Sequence, residues 1–104
     1  NVAFIKEGEL VSEGAPERLI EQLGKIIIEI NGSNVNEFVR QLELKKHEYM
    51  IEGDSLLIRI RDSETEKVEL IQNVLRNQAE IISVRKANLN DVFLWISSND
   101  HGLK

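Results

Sequence analysis

The order in which apolar residues change their spacing between residues 25 and 87 restricts the fold of this chain more than any other feature. Segment 25–30 is rich in isoleucine and ends at Asn31-Gly32, a pattern typical of a strand. A helical spacing follows, then two extended runs around a turn at 52–55, a second helical spacing and a last short extended run. This β-α-β-β-α-β order predicts an α+β domain with one antiparallel sheet.

Both crossover segments have the spacing of amphipathic helices. Asn34 is the predicted cap of the first helix, with Glu37 three residues later, and a capping-box pattern at 63–66 opens the second. The apolar stripe of the first helix consists of Val35, Phe38, Val39 and Leu42. That of the second consists of Val68, Ile71 and Leu75. We therefore expect a ferredoxin-like fold with its two helices on one face of the antiparallel sheet.

Further elements are predicted on both sides of this domain. Residues 2–11 form a β-hairpin around a glycine turn, and Pro16 begins a short helix that ends at Gly24. A C-terminal helix begins near Asn88, and residues 99–104 form a frayed tail. The predicted main apolar face of this last helix comprises Leu89, Val92, Phe93 and Ile96, with Trp95 beside it.

The composition excludes several classes of function. With 13 Lys and Arg against 18 Asp and Glu among 104 residues, the net charge of −5 argues against a nucleic-acid binder. The chain contains no cysteine, which excludes disulfides and thiolate metal sites. No apolar run approaches the ~20 residues of a membrane-spanning helix, and the start lacks the pattern of a signal peptide. We expect a domain that works in the cytoplasm.

Three groups of polar residues suggest chemistry, but each fits a structural role. The two histidines, His47 and His101, are far apart in the sequence and no cysteine joins them. The turn at 31–33 precedes a helix and could hold an anion, yet it contains no Lys or Arg. The alternating carboxylates Glu7, Glu9 and Glu13 fit a solvated strand face.

A fourth group is basic and lies on the predicted strands. It consists of Arg59, Arg61, Arg85 and Lys86. A ferredoxin-like RNA binder also needs aromatic residues on its central strands for base stacking, and only Tyr49 is available. The group therefore fits a polar sheet surface paired with nearby Glu. From these patterns we predict no catalytic, cofactor-binding or metal-binding residue.

Two segments resemble the ATP-binding subunits of ABC transporters. Segment 2–19, VAFIKEGELVSEGAPERL, is similar to the two strands and helix start that follow the switch histidine loop of that family. The matching positions are Gly8, Leu10, Gly14, Pro16 and Leu19. Segment 88–96, NLNDVFLWI, resembles the closing S-L-E-D-V-F-L-x-L pattern of the daunorubicin-resistance-like exporter branch (ABC-2). Its matching positions are Leu89, Asp91, Val92, Phe93 and Leu94.

The sequence also departs from the family patterns. Ala15 stands where the family often has Thr or Ser, so its side chain cannot cap the helix. Asn88 replaces Ser but keeps a capping side chain, and Asn90 replaces Glu. The phosphate loop, catalytic carboxylate, signature motif and switch histidine of the family match nothing in this sequence. No catalytic, cofactor-binding or metal-binding residue is therefore carried over.

The resemblance implies that this chain is the C-terminal part of a parent that hydrolyses ATP, with Mg²⁺, to drive export. Residues 1–24 would end its nucleotide-binding domain, and 25–98 would be an accessory domain. The implied partners are the upstream nucleotide-binding domain, the ATPase dimer mate and a transmembrane permease, but no nucleic acid. The permease would hold the protein at the inner face of the cell membrane. We expect docking through Leu89, Val92, Phe93 and Trp95.

Two alternatives fit the same predicted fold. A stand-alone ferredoxin-like sensor or interaction module would bind a small molecule between sheet and helix or at a dimer interface, and a metabolite would then raise its thermal stability. A small hydrolase of the acylphosphatase sort needs an arginine at a phosphate-binding turn. The turn 31–34 contains none, so the hydrolase ranks last.

Overall fold

The computed structural model describes residues 2–6 and 8–98, and its elements follow the predicted order. The strands in this part of the chain are β1 (Val2–Lys6), β2 (Glu9–Gly14), β3 (Ile26–Asn31), β4 (Tyr49–Glu52), β5 (Ser55–Ile60) and β6 (Ile81–Lys86). The α-helices there are α1 (Pro16–Leu23), α2 (Val35–Gln41), α3 (Glu66–Leu75) and α4 (Leu89–Ser98). Short 3-10 turns at Lys46–Glu48 and Asp62–Glu64 precede β4 and α3. The predicted tail at 99–104 lies outside the described residues.

Strands β3 to β6 form one antiparallel sheet in the order β4-β5-β3-β6, while β1 and β2 pair as a separate hairpin. Helix α2 connects β3 to β4, which lie on either side of β5. Helix α3 connects β5 to β6, which lie on either side of β3. Two interleaved β-α-β crossovers of this kind define the ferredoxin-like arrangement. The fold class predicted from the sequence is confirmed.

The first face of the sheet packs against the two crossover helices. Its buried residues come from β3, β5, α2 and α3, and they are Ile28, Ile30, Val35, Phe38, Leu56, Ile58, Ile60, Ile71 and Leu75. The predicted stripes of both helices are therefore confirmed, and every second residue of β5 faces this cluster. Burying side chains of this size contributes about 1.5–3 kcal/mol each relative to exposure, so this face supplies a large share of the stability.

The second face of the sheet is also covered, by α1 and α4. Its buried residues are Leu19, Leu23, Ile27, Met50, Leu57, Val92, Trp95 and Ile96. The expected polar sheet surface is therefore wrong for Arg59, whereas Arg85 is partly exposed and lies 4.0 Å from the Glu29 carboxylate, as that interpretation expects. Arg59 is buried, and Arg85 is held against α4 by Asp91. The error arises because the flanking helices fold back over strand positions that face solvent in a bare four-stranded sheet.

The predicted caps of the two crossover helices differ from the observed ones. Asn34 precedes α2 without a side-chain capping hydrogen bond, and Glu37 accepts a hydrogen bond from Arg40 instead. Before α3 the chain makes a 3-10 turn, in which the Arg61 N–H donates to Glu64 Oε1 at 3.2 Å. The capping interaction therefore lies two residues earlier than the 63–66 pattern predicts. Ala15 has no side-chain cap, as expected.

Candidate docking site at the C-terminal helix

Helix α4 is fixed at its N-terminus by a compact polar network. The Asp91 N–H donates to Asn88 Oδ1 at 3.0 Å, and the Asn88 N–H donates to Asp91 Oδ2 at 2.8 Å. This reciprocal capping box satisfies two backbone donors at the start of the helix. The predicted capping by Asn88 is confirmed. The carboxylate also lies near the positive end of the helix dipole, where a negative charge is stabilising.

Arg85, at the end of β6, joins this network to the sheet. Its Nη1 and Nη2 atoms donate to the two carboxylate oxygens of Asp91 at 2.7 and 2.8 Å. Asp91 is 3% exposed, so these two bonds are formed largely out of water. The hydrogen bonds to Asp91 raise the pKa of Arg85 above its ordinary value, and Glu29, 4.0 Å away, acts in the same direction.

The buried side of α4 packs on α1 and the sheet. Val92, Trp95 and Ile96 follow helical spacing, and each is 3% exposed or less. They share a core cluster with Leu19 and Leu23 of α1. Helix α1 begins at Pro16, and at its C-terminal end the Gly24 N–H donates to the Ile20 carbonyl at 3.0 Å. The cluster therefore joins the two segments that resemble ABC subunits.

The predicted apolar face of α4 is rotated relative to the observed one. Trp95 lies on the buried face rather than beside it, whereas Phe93 is 53% exposed. Both sets of positions fit helical spacing. The predicted face consists of positions 89, 92, 93 and 96, and the observed face, next to it on the helix, consists of positions 89, 92, 95 and 96. Of the four predicted docking residues, Val92 and Trp95 contribute to the intramolecular cluster, Leu89 is half-buried beside it, and Phe93 lies at the surface. Their docking to another domain or protein stays a prediction.

The remaining candidates are not assembled into a site by the described structure. His47 is exposed in the 3-10 turn before β4, while His101 and Glu7 lie outside the described residues, as do the side chains of Glu9 and Glu13. Within residues 2–6 and 8–98, no group of three metal-ligating side chains is present. In the turn at 31–33, Gly32 packs so closely on Phe38 that an added Cβ would lie 2.9 Å from the ring.

Sequence reasoning missed a cavity of about 430 Å³ between the segment after α2, the strand β5 and the helix α3. Leu42, Leu44 and Ile71 contribute apolar lining, and Lys67 and Glu64 form an ion pair there at 2.7 Å. The hydrogen bond from Lys67 lowers the pKa of Glu64 and raises that of Lys67. No motif marks such a cavity, because its walls come from segments far apart in the sequence.

The fold and these contacts define a ferredoxin-like α+β domain whose C-terminal helix is held to the sheet by the Arg85–Asp91 pair and by an apolar cluster. The chain is 32% identical over 101 residues to the Nod factor export ATP-binding protein I of Burkholderia thailandensis. The match covers 95% of this chain and 32% of that relative, so the chain spans about a third of the relative's length. This supports a relationship to ABC ATP-binding proteins. No family model matches the chain, and no solved structure matches it.

The relative is named for export, but the part of this chain that the structure describes contains no helix with the length and apolar character needed to cross a bilayer. The longest helices there, α3 and α4, have ten residues each. A spanning helix needs about 20 residues.

Proposed function

We propose that this chain is the non-catalytic C-terminal accessory domain of an ABC-type ATP-binding subunit that drives export through a partner permease. The observation that carries the proposal is the 32% identity to an export ATP-binding protein over an alignment that covers 95% of the chain. Segments 2–19 and 88–96, which resemble ABC subunits, lie within the matched stretch and agree with this relationship. ATP and Mg²⁺ would bind in the remaining part of such a subunit, since this sequence has no phosphate-binding motif.

In this proposal the accessory domain regulates closure of the ATPase. Helix α1, which would end the nucleotide-binding domain, shares a buried cluster with α4 and with the sheet residues Ile27 and Leu57. A rigid contact of this kind can pass a displacement of the ATPase body to the ferredoxin-like sheet. Val92 and Trp95 would dock inside the subunit through α1. Leu89 and Phe93 would contact the ATPase body or its dimer mate.

The first test is the size and location of the native protein. An antibody raised against this chain should detect, in fractionated source cells, a band well above 11.9 kDa that is partly associated with the cell membrane. The permease would account for that association. A band at 11.9 kDa in the soluble fraction would overturn the proposal and identify a free-standing domain.

The second test addresses regulation in the full-length subunit reconstituted with its permease. Phe93→Ala should change the ATPase rate by about fivefold or more, the lower range of typical coupling energies. Leu70→Ala on α3 is the matched control, because Leu70 is equally apolar and 61% exposed but lies away from α4. Unchanged ATPase activity in Phe93→Ala and in Leu89→Ala, with stability also unchanged, would exclude this docking role.

A small-molecule sensor is the second candidate function, and the 430 Å³ cavity favours it. Its volume lies in the range of small-molecule sites, and it combines apolar walls with a few charged groups. A screen of amphiphilic metabolites by thermal shift should find a stabilising compound if the cavity is a site. Leu44→Trp should abolish that stabilisation by filling the cavity, whereas Leu70→Ala at its rim should weaken it. No stabilising compound in the screen would count against the sensor.

A further inference from the structure

Helix α1 and the strand β3 are connected by two residues, Gly24 and Lys25. The Lys25 N–H donates to the Ile60 carbonyl of β5 at 2.8 Å, and the Lys25 carbonyl accepts a hydrogen bond at 3.1 Å from the N–H of Ala87, which follows β6. The Lys25 Nζ atom also lies 3.0 Å from the Asp62 carboxylate. The hydrogen bonding of β3 to the chain on both of its sides therefore continues to Lys25, which leaves Gly24 alone between the bonded strand and the helix.

Gly24 is buried and has no room for a side chain. A Cβ at this position would lie 2.9 Å from the Ile60 carbonyl oxygen. Beside it, Leu19 and Leu23 of α1 are each 1% exposed or less, in the cluster on the second face of the sheet. Turning α1 relative to the sheet would break the hydrogen bonds of Lys25 and expose both leucines to water, and each of these changes is unfavourable.

We propose that Gly24 and Lys25 form a fixed joint, so that α1 and the four-stranded sheet move as one rigid body. Boundaries between domains usually lie in exposed linkers that few contacts cross, and relative motion of the domains is then expected. The boundary that the family resemblance implies after residue 24 differs from such a linker, since Gly24 is buried and Lys25 is hydrogen-bonded on two sides.

For a full-length subunit, the consequence of the joint rests on the proposed function. A helix that ends the nucleotide-binding domain and cannot turn against the sheet carries the sheet with it. A displacement of α1 would therefore also move α4, because both helices pack in one cluster with the sheet. The accessory domain would act as a rigid extension of α1.

NMR of the 104-residue chain tests the joint without a transporter. The residual dipolar couplings of the α1 amides should fit the alignment tensor of β3 and β5, because a rigid body has one tensor. The backbone order parameters of residues 23–26 should equal those of β3, at about 0.85. A separate tensor for α1, or order parameters below about 0.6 at residues 24 and 25, would overturn the proposal.

An insertion of two glycines after Gly24 lengthens the connection and changes no side chain. It should lower the melting temperature by about 5–10 °C, because α1 can no longer keep both its packing and the hydrogen bonds of Lys25. The matched control is the same insertion after Gly53, in the two-residue connection between β4 and β5, where an added Cβ would meet nothing within 4 Å. The control should lower it by about 2 °C or less. Equal shifts in the two variants would overturn the proposal.

The same two insertions in the full-length subunit, reconstituted with its permease, separate the joint from the proposed function. The insertion after Gly24 should change the ATPase rate by about fivefold or more, whereas that after Gly53 should leave it unchanged. A rigid α1 in the 104-residue chain with an unchanged ATPase rate would support the joint and overturn regulation by the accessory domain. A mobile α1 would overturn the joint whatever the rate.

Discussion

The two faces of the four-stranded sheet are covered by different kinds of contact. On the first face, α2 and α3 are the crossovers of the fold, and the buried cluster is entirely apolar. On the second face, α1 and α4 come from either side of the sheet in the sequence, and the Arg85–Asp91 pair helps to hold α4. The helices on the first face are placed there by their short connections to the strands. The helices on the second face are held there by contacts between segments that lie far apart in the sequence. We expect the second face to open at a lower free energy than the first.

The largest expected effect separates the two faces by truncating one large side chain in each. Phe38→Ala and Trp95→Ala should each lower the free energy of unfolding by about 3–5 kcal/mol, because both residues are buried. Hydrogen exchange distinguishes them. Phe38→Ala should reduce protection in the whole sheet, while Trp95→Ala should reduce it first in α1 and α4. Equal loss of protection in α2 and α3 in both variants would show that the two faces unfold as one unit.

The ion pair of the second face, in which Asp91 is buried and Arg85 is partly exposed, should give the next largest effect. Asp91→Asn leaves the Arg85 guanidinium with a neutral partner and should lower the free energy of unfolding by about 2–3 kcal/mol. Asn88→Ala removes only the cap and should lower it by about 1 kcal/mol. The comparison is best made by urea denaturation. Equal losses in the two variants would mean that the capping box, and not the pair with Arg85, holds α4.

The pH dependence of this pair follows from the direction of the shift. The pKa of Arg85 is raised in the folded state, mainly by its hydrogen bonds to Asp91. When folding raises the pKa of a basic group, the group stabilises the fold fully at any pH below its pKa in the unfolded state. That stabilisation is lost only as the pH rises through the pKa in the folded state. The pKa of an arginine ordinarily lies far above neutral pH and that of Arg85 is higher still, so this arginine introduces no loss of stability on the alkaline side of neutral pH.

Two glycines at strand–helix junctions give a smaller contrast. A Cβ at Gly24, between α1 and β3, would lie 2.9 Å from the Ile60 backbone carbonyl, and its φ of 153° is unfavourable for other residues. At Gly32, between β3 and α2, the 2.9 Å contact is with the Phe38 ring. Gly24→Ala should therefore cost about 2–3 kcal/mol and Gly32→Ala about 1–2 kcal/mol in thermal denaturation. The reverse order would mean that the ring is less able to move than the backbone.

The sequence was sufficient to predict the first face because its signals are local. The stripe of α2 and the alternation of β5 each specify a period, and the connectivity then leaves few topologies. The second face was predicted less well. Helix α4 is apolar on several sides, so spacing alone did not choose between Phe93 and Trp95 for the buried face. Trp95 is the buried residue because it packs in one cluster with Leu19 and Leu23, which lie some 70 positions earlier in the sequence.

The polar contacts show the same limit. The capping box of Asn88 and Asp91 was predictable, since both residues lie within one helical turn. Their pairing with Arg85 was not, because it depends on the angle at which the chain leaves β6 and enters α4. The cavity beside α3 likewise requires the sheet order β4-β5-β3-β6 to be known. Spacing therefore predicted the elements and the first face of the sheet, but not the contacts between segments far apart in the sequence.

The smallest expected effect concerns the ion pair at the rim of the first face. The hydrogen bond from Lys67 holds the pKa of Glu64 below its ordinary value of 4.5. When folding lowers the pKa of an acid, the group stabilises the fold at any pH above its pKa in the unfolded state. This stabilisation is lost as the pH falls through the pKa in the folded state. Both side chains are partly exposed, so Glu64→Gln should cost only about 0.5 kcal/mol near neutral pH.

The matched variant is Glu66→Gln, which removes an exposed carboxylate from the first turn of α3. Urea denaturation across the acid range should show a shallower loss of stability below pH 4.5 in Glu64→Gln than in Glu66→Gln. An identical fall of the free energy of unfolding below pH 4.5 in the two variants would mean that the Lys67–Glu64 pair makes no measurable contribution to stability. A loss for Glu64→Gln as large as that for Asp91→Asn would contradict the contrast between the faces. The Lys67–Glu64 pair is expected to contribute several times less than the Arg85–Asp91 pair, because the Glu64 carboxylate is partly exposed to competing water whereas Asp91 is buried.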